Sequence, residues 1–135
     1  MKVFVCIDDG GGMLFMGKRQ SLDRILIEDV RKTVGDGRLL LHPFSASLFS
    51  KEGGFLLAED PLAEAADGDY CFIENLPLRS FAPKIDTLYV YKWNRRYPAT
   101  AFLDLDPVKN GFRLAERTDF VGSSHDTITK ETYIK

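Results

Sequence analysis

The last third of the sequence constrains the fold most strongly, because strand-like segments dominate it. Residues 87–93 alternate as a strand with two distinct faces does, with Leu88 and Val90 on one of them. Residues 112–115 and 127–134 follow as two further strand-like segments, after a long polar connection. The sequence therefore predicts an antiparallel strand pair at the C-terminal end.

Before that point, strand-like and helix-like segments alternate, which is typical of an α/β domain. The predicted strands are residues 2–7, 38–41, 55–58 and 70–73. Short helical segments are predicted at residues 44–49, 61–66 and 76–82, with Pro83 interrupting the last. We see no repeat and no linker, so we expect one domain over residues 1–135, with a central sheet flanked by helices.

The longest predicted helix covers residues 22–34. Apolar residues recur there every four positions, at Leu22, Leu26, Val30 and Val34. Ser21 is the predicted N-cap, because its hydroxyl can accept a hydrogen bond from an unpaired backbone N–H. Asp23 would then lie in the first turn, where the helix dipole favours an acid. Gly35 predicts the end of the helix.

Composition limits the classes of partner. A chain of 135 residues, 44% of them hydrophobic, can bury one packed core. The net charge is −2, with acids and bases interspersed, which argues against a nucleic-acid surface because such surfaces carry a basic excess. The longest apolar runs are far short of the roughly 20 residues that cross a bilayer. We expect a cytoplasmic protein with no membrane partner.

Two cysteines, Cys6 and Cys71, each lie in a strand-like apolar run. There is no Cys-x-x-Cys pair, and the two histidines do not flank the cysteines at the spacing of zinc ligands. Free cysteine is among the residue types most often buried. We therefore expect two buried, reduced thiols.

Asp8 and Asp9 follow the first predicted strand and precede three glycines. Carboxylates suit hard divalent cations, and open α/β sheets place ligands at the carboxyl ends of their strands. A structural turn is the preferred interpretation, because Asp and Gly are both common in turns. The glycines lack the Lys-Ser/Thr of a phosphate-binding loop. No metal is predicted, and Asp8 and Asp9 remain only weak candidates.

Arg19, Asp23 and Arg24 lie beside the start of the predicted helix. An arginine next to a carboxylate could bind an anionic ligand through paired hydrogen bonds. The alternative is a surface ion pair that contributes little to stability.

A second group of candidates is Trp93, Arg95 and Arg96, because aromatic and arginine side chains dominate interface hot spots. The alternative is a basic loop that covers a sheet edge. Residues 123–126 read Ser-Ser-His-Asp, the composition of a catalytic triad. Sequence neighbours rarely reach the geometry of that triad, so a polar turn is preferred. His125 could still titrate near neutral pH and control a contact.

The order of these features resembles that of the dihydrofolate reductases over most of the chain. Residues 3–8 resemble that family's first strand and its following Asp, and residues 17–33 resemble its active-site loop and first helix. The other similar segments are residues 39–45 (strand and cofactor-gripping turn), 70–75 (strand ending in paired glycines) and 84–90 (the next strand). The resemblance implies a dihydrofolate reductase-like fold, in which Cys6 and Cys71 would lie on neighbouring strands.

The residues that perform the chemistry of that family are missing. The Gly-Arg-x-Thr turn reads His-Pro-Phe-Ser at residues 42–45, so its arginine is gone and only the hydroxyl of Ser45 is kept. Glu74-Asn75 stands where the family has paired glycines. Glycine lets the backbone approach a pyrophosphate closely, whereas the negative charge of Glu74 would repel it. These departures argue against dinucleotide binding, and no cofactor is predicted.

The catalytic acid of that family also has no direct counterpart. Its helical position falls near Leu26, and the preceding Pro-Trp is replaced by Arg19-Gln20. Asp23 or Glu28 could substitute only through a shift of the helix.

The chain also looks like short Gram-positive bacterial proteins that often carry the label ribonuclease Z. True enzymes of that name hold zinc in a His-x-His-x-Asp-His cluster. Two separate histidines, His42 and His125, cannot build that dinuclear centre. The residues do not support the label.

Three functions stay open. The preferred hypothesis is a non-redox binding or regulatory module for an unknown small ligand or protein partner, on a reductase-like fold that has lost its dinucleotide site. Its candidate ligand-binding residues are Arg19, Asp23, Arg24, Phe49 and Glu74, and its candidate partner-binding residues are Trp93, Arg95, Arg96 and His125. The alternatives are a metal-dependent hydrolase of RNA or nucleotides that uses Asp8, Asp9 and Asp23, and a residual NADPH-dependent reductase. A pocket between Val30, Phe49 and Ile73 would favour the first.

Overall fold

A computed structural model describes residues 1–135 and contains ten strands and three short or medium α-helices. The strands are β1 (Lys2–Ile7), β2 (Gly12–Phe15), β3 (Lys18–Arg19), β4 (Leu39–Leu41), β5 (Leu56–Leu57), β6 (Tyr70–Phe72), β7 (Thr87–Lys92), β8 (Ala101–Phe102), β9 (Arg113–Phe120) and β10 (Ile128–Ile134). The α-helices are α1 (Arg24–Val34), α2 (Ala46–Phe49) and α3 (Pro61–Glu64). Single 3-10 segments lie at Pro43–Ser45, Arg79–Lys84 and Val108–Asn110.

Seven strands form one twisted mixed sheet in the order β5-β4-β6-β1-β7-β10-β9. The first five in this order are parallel, and β10 pairs antiparallel with both β7 and β9. The α/β class and the C-terminal antiparallel pair predicted from the sequence are therefore confirmed. A small second sheet, β3-β2-β8, lies beside the main one.

The alternation of β1 divides the core into two layers, because successive side chains of a strand point to opposite faces. Val3 and Val5 pack on one face with Cys71, Leu88 and Val90. Phe4 packs on the other face with Leu26 and Val30 of α1, together with Phe72 and Tyr91. The apolar stripe of α1 therefore covers one face of the sheet. No helix in the structure has the length and apolar character needed to cross a membrane.

The start of α1 differs from the prediction. Asp23, not Ser21, is the N-cap, and its carboxylate accepts hydrogen bonds from the backbone N–H groups of Ile25 and Leu26. Ser21 instead bonds a histidine from the far end of the chain. The helix consequently begins two residues later, and Leu22 lies outside the apolar stripe with 59% of its surface exposed.

The other differences between the predicted and observed elements lie in segments where the pattern of apolar residues predicts no element. β9 extends through the polar residues 116–119, because main-chain pairing with β10 rather than burial sets its length. The pairing of β2 with β3 and β8 was not predicted. Pro83 lies inside the 3-10 segment Arg79–Lys84 rather than ending a helix.

The cysteines lie on neighbouring strands, as the resemblance implied. β1 pairs with β6, and Val3 lies opposite Cys71. Cys6 is three residues further along β1 and therefore points to the other face of the sheet. Cys71 is buried, and burial raises the pKa of its thiol to about 12, whereas Cys6 is only half-buried. The expectation that both thiols are fully buried was wrong for Cys6.

Replacing Leu26 with alanine tests the packing of α1 on the sheet. Leu26 is 1% exposed, so the truncation should lower the free energy of unfolding by about 2–5 kcal/mol through lost burial and a cavity. Leu22→Ala is the matched control. Because Leu22 is exposed, its truncation should change the free energy of unfolding by less than about 0.5 kcal/mol. Urea denaturation measures both, and equal effects would contradict the assigned start of the helix.

Candidate functional site

The carboxyl ends of the parallel strands meet at one edge of the main sheet, where α/β folds place their ligand sites. Asp8 follows β1, His42 follows β4 and Glu74 comes shortly after β6. Trp93 directly follows β7. The polar side chains at this edge therefore come from four separate segments of the chain.

Glu74 is the centre of a hydrogen-bonded cluster at this edge. Its carboxylate accepts from Arg19 Nε at 2.6 Å, from Arg19 Nη2 at 2.8 Å and from Ser45 Oγ at 2.7 Å. Arg19 Nη2 also donates to the carbonyl of Phe44 at 3.1 Å. Ser45 is fully buried and Glu74 nearly so. The cluster joins the small sheet, through Arg19, to the segments that follow β4 and β6.

Asp8 organises a turn. Its Oδ1 accepts from the N–H groups of Gly10 and Gly12 at 2.9 and 2.7 Å, and its Oδ2 accepts from Tyr97 N–H and Gln20 Nε2 at 3.1 and 3.3 Å. Burial alone would raise the pKa of Asp8, but these hydrogen bonds lower it below its usual range. Both oxygens are occupied by protein donors, as the turn interpretation expects.

Asp9 is exposed, and its backbone N–H donates to the carbonyl of Arg95 at 2.9 Å. No group of three or more His, Cys, Asp and Glu side chains lies close enough to hold a metal ion. The structure therefore does not bring Asp8, Asp9 and a third ligand together.

Asp23 is 1% exposed and accepts hydrogen bonds from two ends of the chain. Besides the first N–H groups of α1, it accepts from Ser123 N–H at 3.0 Å and Ser124 N–H at 2.8 Å. His125 Nδ1 lies 3.0 Å from its Oδ2. Burial opposes ionisation, but the donors hold the pKa of Asp23 well below its usual range. Asp23 does not pair with Arg19 or Arg24.

His125 is buried, and both of its ring nitrogens have partners. Nε2 lies 3.1 Å from Ser21 Oγ and 3.1 Å from Tyr97 Oη. The ring stacks on Trp93 with centroids 4.6 Å apart. Trp93 and His125 are each only 5% exposed, so little of either side chain faces solvent, and their role in binding a partner stays a prediction. Arg95 and Arg96 are exposed.

A cavity of about 360 Å³ opens between α1 and α2. Its apolar lining is Leu22, Ile27, Leu48 and Phe49, and its polar lining is Arg19, Asp23, Arg24, Glu28, Arg31, Ser47, Lys51 and Glu52. The volume lies within the range of small-molecule sites, about 300–1,000 Å³. Four of the five predicted ligand residues line this cavity, and Glu74 lies behind it, bonded to Arg19.

The charges around this cavity are mostly paired. Arg24 bonds Glu28 at 3.0 Å, and Arg31 bonds Glu52 at 3.2 Å and the carbonyl of Phe49 at 2.6 Å. Lys51 takes part in no ion pair and is exposed at the rim. An incoming anion would therefore meet one cation that has no competing carboxylate.

The anticipated pocket between Val30, Phe49 and Ile73 does not exist in that position. Val30 and Phe49 pack together on one face of the sheet, whereas Ile73 belongs to the core on the other face. The space opens instead on the outer side of Phe49, toward Leu48 and Ile27.

Sequence reasoning missed the network of Ser21, Asp23, Tyr97 and His125. Each residue type was visible, but no local pattern links segments that lie about a hundred positions apart. Two signals were available: the Ser-Ser-His-Asp composition at residues 123–126, and the fact that Ser21 and Asp23 both qualify as N-caps.

No protein-family model and no curated protein matches this chain. Among solved structures, it is similar to a dihydrofolate reductase from Enterococcus faecalis complexed with NADP(H) and RAB-propyl. The two structures share a TM-score of 0.70 and 14% sequence identity, over 98% of this chain and 94% of the other. The predicted dihydrofolate reductase-like fold is therefore confirmed, and at this identity the likeness concerns the fold alone.

Asp23→Asn tests the buried carboxylate. Because the folded-state pKa of Asp23 is depressed, its contribution to stability is present above the unfolded pKa of about 4 and is lost as the pH falls below it. The variant should lose about 2–4 kcal/mol at neutral pH, since an amide cannot accept all these donors.

Urea denaturation between neutral and acidic pH measures this effect. The slope of unfolding free energy against pH below about pH 4 should be shallower in the variant than in the wild type. Asp126→Asn is the control, because Asp126 is exposed beside the same histidine. An unchanged slope in Asp23→Asn would contradict the assignment.

Proposed function

We propose that this single-domain protein is a non-redox binding module that takes a small ligand with an apolar body and an anionic group into the cavity between α1 and α2. The observation that carries the proposal is the cavity of about 360 Å³ that gathers four of the five candidate residues. Ligand sites of this kind are mostly apolar, with a few placed polar groups that fix orientation.

The lining supports this ligand chemistry. Leu22, Ile27 and Leu48 supply an apolar wall, and Phe49 closes its inner end. Lys51 offers an unpaired positive charge at the rim that suits a carboxylate or phosphate. Glu74 acts indirectly in this proposal, because its two hydrogen bonds fix the guanidinium of Arg19.

We further propose that the dinucleotide site implied by the fold has been lost. The two positions that would grip the cofactor in the resembling family are Ser45 and Glu74, and here they hydrogen-bond each other at 2.7 Å. Arg19 completes the carboxylate's contacts from the other side. A pyrophosphate would meet a buried carboxylate where backbone N–H groups are needed, so these residues do not fit the group.

A metal-dependent hydrolase has less support. That alternative needs Asp8, Asp9 and Asp23 to share a cation. Asp8 and Asp23 each use both oxygens on protein donors, and a metal would have to displace several hydrogen bonds from buried groups.

NADPH titration tests the loss of the dinucleotide site and the residual-reductase alternative together. When the protein is titrated up to about 1 mM, nicotinamide fluorescence should show no saturable change. A dissociation constant of about 1 mM corresponds to a binding free energy of only about 4 kcal/mol. Saturation at lower concentration would retain the reductase alternative and contradict the proposed loss.

The cavity is tested with 8-anilinonaphthalene-1-sulfonate, an anionic aromatic probe. We expect saturable fluorescence enhancement with one site per chain. Leu48→Glu should weaken binding at least about tenfold, or about 1.4 kcal/mol, by placing a carboxylate in the apolar wall.

Leu114→Glu is the matched control, because Leu114 is a partly exposed leucine on β9, remote from the lining. It should bind the probe as the wild type does. Equal weakening in both variants, or enhancement that never saturates, would contradict the proposed site.

A further inference from the structure

Ser21, His125 and Asp23 form a continuous chain of hydroxyl, imidazole and carboxylate. Ser21 Oγ lies 3.1 Å from His125 Nε2, and His125 Nδ1 lies 3.0 Å from Asp23 Oδ2. Both distances fall within the range expected between a nucleophile, its base and the group that orients the base, about 2.6–3.2 Å. The triad is recognised by geometry and roles rather than by chain order.

We propose that Ser21 is a nucleophile activated by His125, and that the protein cleaves small carboxylic esters whose acyl chain lies in the cavity between α1 and α2. The placement of the acyl chain rests on the proposed ligand site. The activation of Ser21 stands on the three side chains alone.

The direction of the relay follows from what each group can do. An ionised carboxylate only accepts hydrogen bonds, so the neutral imidazole carries its proton on Nδ1 and directs it to Asp23. Nε2 then presents its lone pair to the hydroxyls of Ser21 and Tyr97. This is the tautomer that a general base needs in order to take a proton from Ser21.

The base is also held rigidly. Asp23 is fixed by the first turn of α1 and by the N–H groups of Ser123 and Ser124. The imidazole is 5% exposed and stacks on Trp93, which limits its rotation. Groups placed this firmly need little reorganisation when a proton moves.

Ser21 is only half-buried, and it lies next to the ligand cavity. It lines a small void of about 10 Å³ whose walls include Leu22, Asp23, Ile27 and Leu48. The same four residues line the larger cavity. An apolar acyl chain in that cavity would therefore place its carbonyl end toward Ser21.

The reaction balances with water as the only co-reactant. Ser21 Oγ attacks the carbonyl carbon while its proton passes to His125 Nε2. The bond to the alcohol oxygen then breaks, and Nε2 returns the proton to the leaving oxygen. Water hydrolyses the acyl-serine by the same route, giving the acid and free Ser21.

Two backbone N–H groups directly after the nucleophile are the candidate donors for the developing oxyanion. The backbone N–H groups of Leu22 and Asp23 donate to no acceptor within the protein. An N–H that follows the nucleophilic serine is a recurring oxyanion donor.

The experiment uses an alkyl fluorophosphonate, which transfers its phosphonyl group to an activated serine with loss of fluoride. Peptide mass spectrometry of the labelled wild type should locate the adduct on Ser21, and Ser21→Ala should carry none. Ser80→Ala is the matched control, because Ser80 is an exposed serine in the segment Arg79–Lys84, outside the cavity and without a histidine partner, so its loss should leave labelling unchanged. Tyr97→Phe should label at least as fast as wild type, since it removes the competing hydroxyl.

Ester turnover distinguishes this inference from the proposed ligand site. Ser21→Ala should lower hydrolysis of p-nitrophenyl acetate and octanoate at least about a hundredfold, the usual contribution of a working nucleophile and base. Leu48→Glu should slow only the octanoate. If it slows neither while Ser21 still labels, the ligand site is wrong and the nucleophile stands. If the sulfonate probe binds but Ser21 gains no adduct, the inference is overturned.

Discussion

The buried carboxylate of Asp23 is the interaction on which the candidate site depends. An ionised carboxylate costs several kcal/mol to bury unless donors surround it. Here the donors are the first turn of α1, the turn at residues 123–124 and the ring of His125. One side chain therefore fixes the start of a helix and joins it to a segment about a hundred residues away. The position of each segment is therefore coupled to that of the other.

This arrangement couples the two parts of the candidate site. The start of α1 sets the direction of Leu22 and Ile27, which form one wall of the cavity. The same carboxylate orients His125, whose other nitrogen faces Ser21. The cavity and the relay of Ser21, His125 and Asp23 thus share the turn before α1, and a change at Asp23 would disturb both at once.

The sequence predicted the elements that burial specifies and missed those that distant pairing specifies. β1 follows from a short apolar, β-rich run, β7 follows from alternating residues, and the buried face of α1 follows from its four-residue spacing. Ser21 and Asp23 are equally good N-caps by residue type, and only the distant turn at residues 123–125 selects Asp23. The sequence showed the residue types of a triad at residues 123–126, but His125 contacts Ser21 and Asp23 from the start of α1 instead.

A second pair of opposite charges, Arg19 and Glu74, lies at the same edge of the sheet. They are 55 positions apart in sequence and bonded at 2.6 Å in space. Removing either partner alone would leave a nearly buried charge uncompensated, at a cost of about 3–5 kcal/mol. The two residues therefore depend on each other, and the pair fixes the small sheet, through Arg19, against the segment that follows β6.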